Sequence, residues 1–201
     1  MLGLPPTTEV KRPLPKAQLF KRFDWSPSQR ERFDGDVSRL DFVNWISPRT
    51  IPGIAEGKEV KEIFLVEVSL KSRDFDTKNI TFLAKSIPQR IVFALRFEDE
   101  VSFAVYHDKL FISSWLSIDE ATLTISGLNL DAVWENIVSS IGQFAVEEDK
   151  SLSEQIKIDE ERAKLERQIA ALERQMSATK QPRRKRELFI ELQKLKYIIN
   201  A

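Results

Sequence analysis

The chain has 201 residues, of which 42% are hydrophobic and 31% are charged, so it can form one core with an extension or two small domains. It contains no cysteine and one histidine, which excludes disulfides, thiolate metal sites and clusters of histidine ligands. Its 31 basic and 31 acidic residues give a net charge of zero, but the two ends of the chain are basic and the body is acidic.

The N-terminal part of the chain predicts an arm, two helices and a strand. Residues 1–16 contain four prolines, each of which lacks a main-chain donor, so they predict an extended arm without a regular element. A short helix is predicted over residues 16–23. A second helix is predicted to begin after Ser26, a favourable N-cap, with Pro27 at its first position. Alternation of apolar and polar residues then predicts a strand over residues 39–46.

The central part of the chain predicts a strand, a helix and a strand in succession. Residues 60–71 are apolar on both faces in their first half, which is typical of a strand covered on both sides. Residues 76–87 carry an apolar stripe at helical spacing and end before Pro88. Residues 90–97 form a second apolar run. Because two strands joined by a helix usually lie side by side in the same direction, we expect a parallel crossover.

The following segment predicts an antiparallel meander and one helix. Short turns separate three apolar runs, which is typical of neighbouring antiparallel strands. These runs are residues 101–107, 110–116 and 121–125. A helix capped by Asn129 or Asp131 is then predicted to extend to about residue 144. The fold class is therefore α+β, with a mixed sheet packed by helices.

A charged segment, residues 147–150, is predicted to separate this domain from two C-terminal helices. The helices are predicted over residues 151–178 and 183–199, with Pro182 at the joint. Each helix carries a narrow apolar seam, so each must pack against something. We expect a coiled-coil-like helical hairpin that leaves one side for a second copy of the chain or for another protein. The predicted organisation is an arm, an α+β domain and a helical hairpin, over residues 1–16, 17–146 and 151–201.

One arrangement of carboxylates suggests a metal-dependent nuclease. In restriction-endonuclease-like cores, an acidic residue on one strand and a Glu-x-Lys sequence on the next hold magnesium and activate water. Asp41 and Glu67 fit the two strand positions, but Ser69 stands where the lysine is expected. Lys71 is the replacement that lies on the same face. The alternative is that these carboxylates are ordinary surface or hydrogen-bonded groups. We favour a protein without catalytic activity and expect no resident metal and no cofactor.

A basic cluster at the joint of the two C-terminal helices could bind nucleic acid. Its five members are Lys180, Arg183, Arg184, Lys185 and Arg186. Such a cluster can neutralise several phosphates, and its binding would weaken steeply with salt. Because no aromatic residues alternate with these charges, the pattern does not indicate stacking on single-stranded bases. The alternative is a solvated turn whose arginines pair with glutamates of the facing helix, such as Glu166 or Glu173.

Several short motifs, taken in order along the chain, carry a resemblance to a known family. The most specific is GLNLDAVWEN at residues 127–136. The others are LGLP at 2–5 with Thr8, Val10 and residues 15–16, the segment 62–70, KSIP at 85–88, and the charged tail at 165–169 and 180–185. Together they resemble the bacterial and archaeal family called domain of unknown function 4391, over nearly the whole chain.

The resemblance implies a genetic setting for the protein, but it does not indicate any catalytic residues. Genes of that family often lie beside helicase and DNA-methyltransferase genes, which implies an accessory subunit of a DNA restriction or phage-defence system. We therefore expect a non-catalytic protein that binds a partner, such as a helicase or a DNA methyltransferase, through its helical and N-terminal arms. The alternatives are a nuclease-like enzyme, active or degenerate, and a sequence-nonspecific DNA-binding protein.

The sequence gives no indication of a membrane segment. No apolar run approaches the length of about 20 residues that a helix needs to cross a bilayer, and the start lacks a signal-peptide pattern. We therefore expect a cytoplasmic location without membrane attachment.

Overall fold

The computed structural model describes residues 2–147 and 149–199. The chain divides after residue 145 into two compact units, of which the first is an α+β domain and the second a pair of helices. The predicted arm, boundary and tail also include residues 1, 148, 200 and 201, which lie outside the described residues.

The first unit contains a mixed sheet of seven strands among the residues described. They are β1 (Glu9–Pro13), β2 (Val37–Ile46), β3 (Ile63–Leu70), β4 (Arg90–Phe97), β5 (Glu100–His107), β6 (Lys109–Ile112) and β7 (Leu116–Ser117). The strand order is β1-β2-β3-β4-β5-β6, and β7 pairs with β5 beyond the end of β6. The pair β3–β4 is parallel and the other pairs are antiparallel. The predicted parallel crossover, antiparallel meander and α+β class are therefore confirmed.

Four helices pack on this sheet, and local capping explains where three of them begin. They are α1 (Lys16–Arg22), α2 (Pro27–Asp36), α3 (Thr77–Ser86) and α4 (Leu130–Gly142). Ser26 caps α2 in a reciprocal box with Gln29, and Pro27 occupies the first position, as predicted. Asp76 accepts a hydrogen bond from the main chain of α3, and Asn129 does the same for α4.

The two faces of the sheet are covered differently. Helices α1, α2 and α3 lie on one face, where they enclose a core of apolar side chains. Its fully buried members include Phe33, Val66, Val68, Ile80, Phe93 and Leu95. Each such side chain contributes about 1.5–3 kcal/mol relative to an exposed position. Helix α4 packs against β5 and β6, and the contact between Trp134 and His107 places it on the opposite face.

Three predictions for the strands differ from the structure. Within the predicted arm, residues 9–13 form β1, which pairs antiparallel with β2 at the edge of the sheet. Pro13 is compatible with this strand because it ends it, and an edge strand needs no donor on its outer side. The strand predicted over residues 110–116 is interrupted, since β6 ends at Ile112 and β7 begins at Leu116. Residues 121–125 are not a strand. Ala121 and Leu123 are buried, and the Leu123 N–H donates to the carbonyl of Leu2, so the alternation reflects burial without a sheet ladder.

The second unit consists of α5 (Leu152–Ala178) and α6 (Pro182–Ile199), which are joined by residues 179–181 and pack against each other. Ser151 and Glu154 form a capping box at the start of α5. Lys196 of α6 pairs with Glu173 of α5 at 2.8 Å. The predicted pair of C-terminal helices is confirmed. Within the described ranges, no helix combines the length and the apolar character that crossing a membrane requires.

Candidate functional site

The two carboxylates singled out as nuclease candidates lie side by side on the sheet. Asp41 of β2 and Glu67 of β3 are directly paired across the antiparallel ladder. Both project from the face opposite α1–α3, since their neighbours Val66 and Val68 belong to the core on that other side. Asp41 and Glu67 are therefore close together, as their positions on the two strands predict.

Each of these carboxylates is matched by an arginine. Arg39 contacts both oxygens of Asp41, at 2.6 and 2.7 Å, in the bidentate geometry that suits a guanidinium. The hydrogen bond and charge of Asp41 raise the pKa of Arg39. Arg96 of β4 lies 3.7 Å from Glu67. Because magnesium needs carboxylate oxygens that are free to coordinate it, this arrangement suits charge pairing better than metal binding.

Lys71, the third nuclease candidate, is directed elsewhere. It follows the last residue of β3, and its amine donates to the main-chain carbonyl of Asp34 in α2. Its main-chain N–H donates to the main-chain carbonyl of Asp36 of the same helix.

A cavity of about 230 Å³ borders Glu67 and Arg96, and the N-terminal segment forms part of its wall. Over residues 2–147 and 149–199, no group of three or more acidic or histidine side chains is arranged to hold a metal ion.

The basic cluster lies at the joint of α5 and α6, and all five of its side chains are exposed. Arg183, Arg184 and Lys185 lie in the first turn of α6 and Arg186 follows them, and the positive end of the helix dipole disfavours cations there. Arg183 and Arg184 both pair with Glu187, at 3.5 and 3.1 Å. The expected pairing with glutamates of the facing helix is thus replaced by pairing along α6, because residues three or four apart on a helix are neighbours.

Besides its buried seam, helix α6 has a mainly apolar surface that is exposed. We call it the outer face of α6, and its members are Phe189, Ile190, Gln193, Lys194, Tyr197 and Ile198. With about 3.6 residues per turn, these positions lie opposite the predicted seam, which contains Leu188 and Leu192. Leu188 and Leu192 are 1% and 3% exposed, whereas Phe189 is 49% and Tyr197 is 77% exposed. Helix α6 is therefore apolar on two sides, of which one is buried and one is exposed.

Comparison with known proteins identifies the family. The model of the family described as Domain of unknown function (DUF4391) matches residues 2–198. The chain belongs to this family. Among curated proteins and solved structures, the comparison finds no match.

Residues 127–136, on which the resemblance most depends, have a structural role. Gly127 has a φ of +137°, which a side chain would strain, and Asn129 caps α4. The Asp131 carboxylate accepts three main-chain hydrogen bonds from residues 58–60. Trp134 donates from its indole nitrogen to Nδ1 of His107 at 3.1 Å. These contacts give the motif a role in folding the first unit.

Sequence reasoning missed the outer face of α6 and the two arginine partners. The signal for the outer face was present, because residues 188–190 and 197–199 are runs of three apolar residues, and such runs extend round a helix. The pairing of Arg96 with Glu67 carried no local signal, since it depends on the register between β3 and β4.

Proposed function

We propose that this protein is a non-catalytic, cytoplasmic subunit that binds a protein partner through the outer face of α6. The setting that we propose is a DNA restriction or phage-defence system, in which the partner is a helicase or a DNA methyltransferase. The setting rests on the family resemblance, and the binding mode rests on the geometry of α6.

The exposed apolar side chains of α6 carry this proposal. Phe189, Ile190, Tyr197 and Ile198 are each about half exposed or more, and they line one continuous surface. Burying a half-exposed side chain of this size gains roughly 1 kcal/mol. Exposed apolar patches on soluble proteins commonly mark interaction sites, and aromatic residues are frequent among those that dominate binding.

The proposal is tested by recovering the partner with matched variants of the full chain. The tagged protein is expressed in its native host, and the proteins that co-purify are quantified by mass spectrometry. The binding variant is Phe189→Ser/Tyr197→Ser. The control is Leu128→Ser, which removes an apolar side chain that is 86% exposed in the first unit. Loss of a central aromatic residue at an interface costs about 2 kcal/mol or more, so we expect recovery of the partner to fall at least about tenfold in the binding variant alone.

Two results would contradict the proposed function. One is equal recovery of the helicase or methyltransferase with the wild-type chain and both variants. The other is the absence of either partner from the wild-type sample. Circular dichroism of the variants checks that α6 keeps its helical structure, so that a loss of binding is not a loss of folding.

Sequence-nonspecific DNA binding is the second candidate function, and the basic cluster favours it. In the part of the chain that the structure describes, no ion pair involves Lys180, Lys185 or Arg186. Such charges can replace the counterions of phosphates, so the affinity would fall steeply with salt. Under this alternative, neutralising the cluster weakens binding to every DNA sequence and flattens the salt dependence. An unchanged affinity in an electrophoretic mobility assay would reject it.

A further inference from the structure

The outer face of α6 continues into the basic cluster. Arg183, Arg186, Ile190, Gln193 and Tyr197 are spaced by three or four residues, so they form one stripe along the helix. The N-terminal part of this stripe is basic and its C-terminal part is apolar. We call these parts the basic half, Arg183 and Arg186, and the apolar half, Phe189, Ile190, Tyr197 and Ile198.

Helix α6 and the residues that lead into it carry mostly positive charge. Residues 180–199 contain seven basic and two acidic residues. Glu187 is shared between Arg183 and Arg184, and the cations stand at the end of the helix where the dipole is already positive. A carboxylate placed here would gain from the side chains and from the dipole together. The basic half is therefore complementary to an acidic group of a partner.

This charge distribution favours one kind of binding partner for the outer face of α6 over the others. A second copy of α6 packed in parallel would place the same positive charges against one another, and one packed antiparallel would place each basic half against the apolar half of its mate, so neither arrangement supplies the basic half with an acidic partner. Duplex DNA would satisfy the basic half but would leave the apolar half in water. An amphipathic helix with apolar and acidic residues satisfies both halves, and laying an apolar helix face onto a complementary surface is a common mode of recognition.

We infer that the outer face of α6 binds an acidic amphipathic helix of a partner protein. The apolar residues of that helix contact the apolar half, and its carboxylates contact the basic half, next to the first turn of α6. This inference rests on the proposed function, which requires binding at this face, and adds the chemistry of the partner.

The test uses three labelled helical peptides of equal length and the full chain. The first has leucines at helical spacing with glutamates elsewhere. The second replaces its glutamates with lysines, and the third replaces its leucines with serines. Fluorescence anisotropy measures binding. We expect the leucine–glutamate peptide alone to bind, and we expect Arg183→Glu/Arg186→Glu to weaken it at least about tenfold. The control Lys157→Glu/Lys164→Glu makes the same charge change at exposed positions of α5 and should leave the affinity unchanged.

Several outcomes would overturn the inference. They are equal binding of the lysine peptide, an unchanged affinity in the Arg183→Glu/Arg186→Glu variant, and no binding of any peptide up to about 1 mM. Sedimentation that shows a dimer dispersed by Phe189→Ser would assign the face to a second copy. Competition in which duplex DNA displaces the acidic peptide and binds more tightly would assign it to DNA.

The failure of this inference is distinguishable from the failure of the proposed function. If the Phe189→Ser/Tyr197→Ser variant loses the host partner while the Arg183→Glu/Arg186→Glu variant retains it, the face binds a partner that is not acidic. The proposed function then stands and the inference is overturned. If both variants retain the partner, the proposed function fails as well.

Discussion

The carboxylate of Asp131 accepts a hydrogen bond of 2.8 Å from the main-chain N–H of Val60, a residue 71 positions earlier in the chain. Lys58 and Glu59 donate to the same carboxylate at 2.6 and 3.2 Å. Asp131 lies in the first turn of α4, where the helix dipole also favours negative charge. This carboxylate therefore holds the loop before β3 against the start of α4.

Replacement of Asp131 by asparagine should destabilise the first unit. An amide offers one acceptor oxygen in place of two, so at least one of the three N–H groups loses its charged acceptor. We expect the free energy of unfolding to fall by about 1–2 kcal/mol. Urea unfolding followed by tryptophan fluorescence measures this change, since all four tryptophans lie in the first unit. The control Glu135→Gln, an exposed position on the same helix, should change the stability by less than about 0.5 kcal/mol.

The effect of Asp131 should also depend on pH. Burial raises the pKa of Asp131, but the N–H groups of residues 58–60 and the charge of Lys61 outweigh burial, so the pKa is lowered overall. A carboxylate with a lowered pKa in the folded state stabilises the protein above its unfolded pKa and loses this contribution as the pH falls through the folded pKa. The difference between wild type and Asp131→Asn should therefore shrink in acid. A difference that grows in acid would contradict this account.

His107 should titrate below the ordinary range of histidine. Burial, followed by the positive charge of Arg90, lowers the pKa of His107, while Asp108 and Glu59 act in the opposite direction. The unfolded chain then binds the proton more readily, so the stability should fall as the pH decreases through the ordinary pKa and then through the folded pKa. Because the chain has one histidine, a proton NMR titration of the untagged protein reports this pKa directly. A midpoint at or above the value of the unfolded protein would contradict the prediction.

Local signals in the sequence were sufficient to place most helices and strands. Ser26 followed by Pro27 marks the start of α2 through capping chemistry that involves only neighbouring residues. The apolar runs before and after α3 predict the parallel pair β3–β4. The strand β1 was not predictable in this way, because the prolines in and around it favour an irregular arm and its pairing depends on residues of β2.

The candidate site was less predictable, because it depends on contacts between elements. The chain order of the strands suggested that Asp41 and Glu67 could be close, and they are paired. The ion pair of Glu67 with Arg96 depends on β4, and the position of Lys71 depends on its contact with α2. These contacts arise from tertiary register, which local periodicity does not encode.

The purified full chain should not cleave DNA in the presence of magnesium. Arg39 contacts both oxygens of Asp41, Arg96 faces Glu67, and the amine of Lys71 contacts α2, so Asp41 lacks free oxygens and the pair lacks the lysine that a nuclease centre uses. A plasmid-nicking assay with magnesium or manganese measures this activity. Nicking by the wild-type chain that disappears in the Glu67→Gln variant would contradict the prediction and revive the nuclease alternative. Nicking that persists in this variant would indicate a contaminating nuclease.

Substitution on the buried side of α6 should lower its stability, whereas substitution on the outer face should leave it nearly unchanged. Leu192 is 3% exposed, so Leu192→Ala should destabilise the helix by about 2–4 kcal/mol through lost burial and a residual cavity. Ile190 is 49% exposed, and alanine has the higher helix propensity, so Ile190→Ala should change the stability by less than about 0.5 kcal/mol.

Hydrogen exchange of the α6 amides, measured by mass spectrometry on the full chain, separates these two outcomes. Protection should fall strongly in Leu192→Ala and remain unchanged in Ile190→Ala. Equal loss of protection in the two variants would mean that the outer face is already buried in the isolated protein. A buried outer face could not bind a partner, so that result would remove the structural basis of the proposed function, whereas an unchanged Ile190→Ala variant leaves the face free for one.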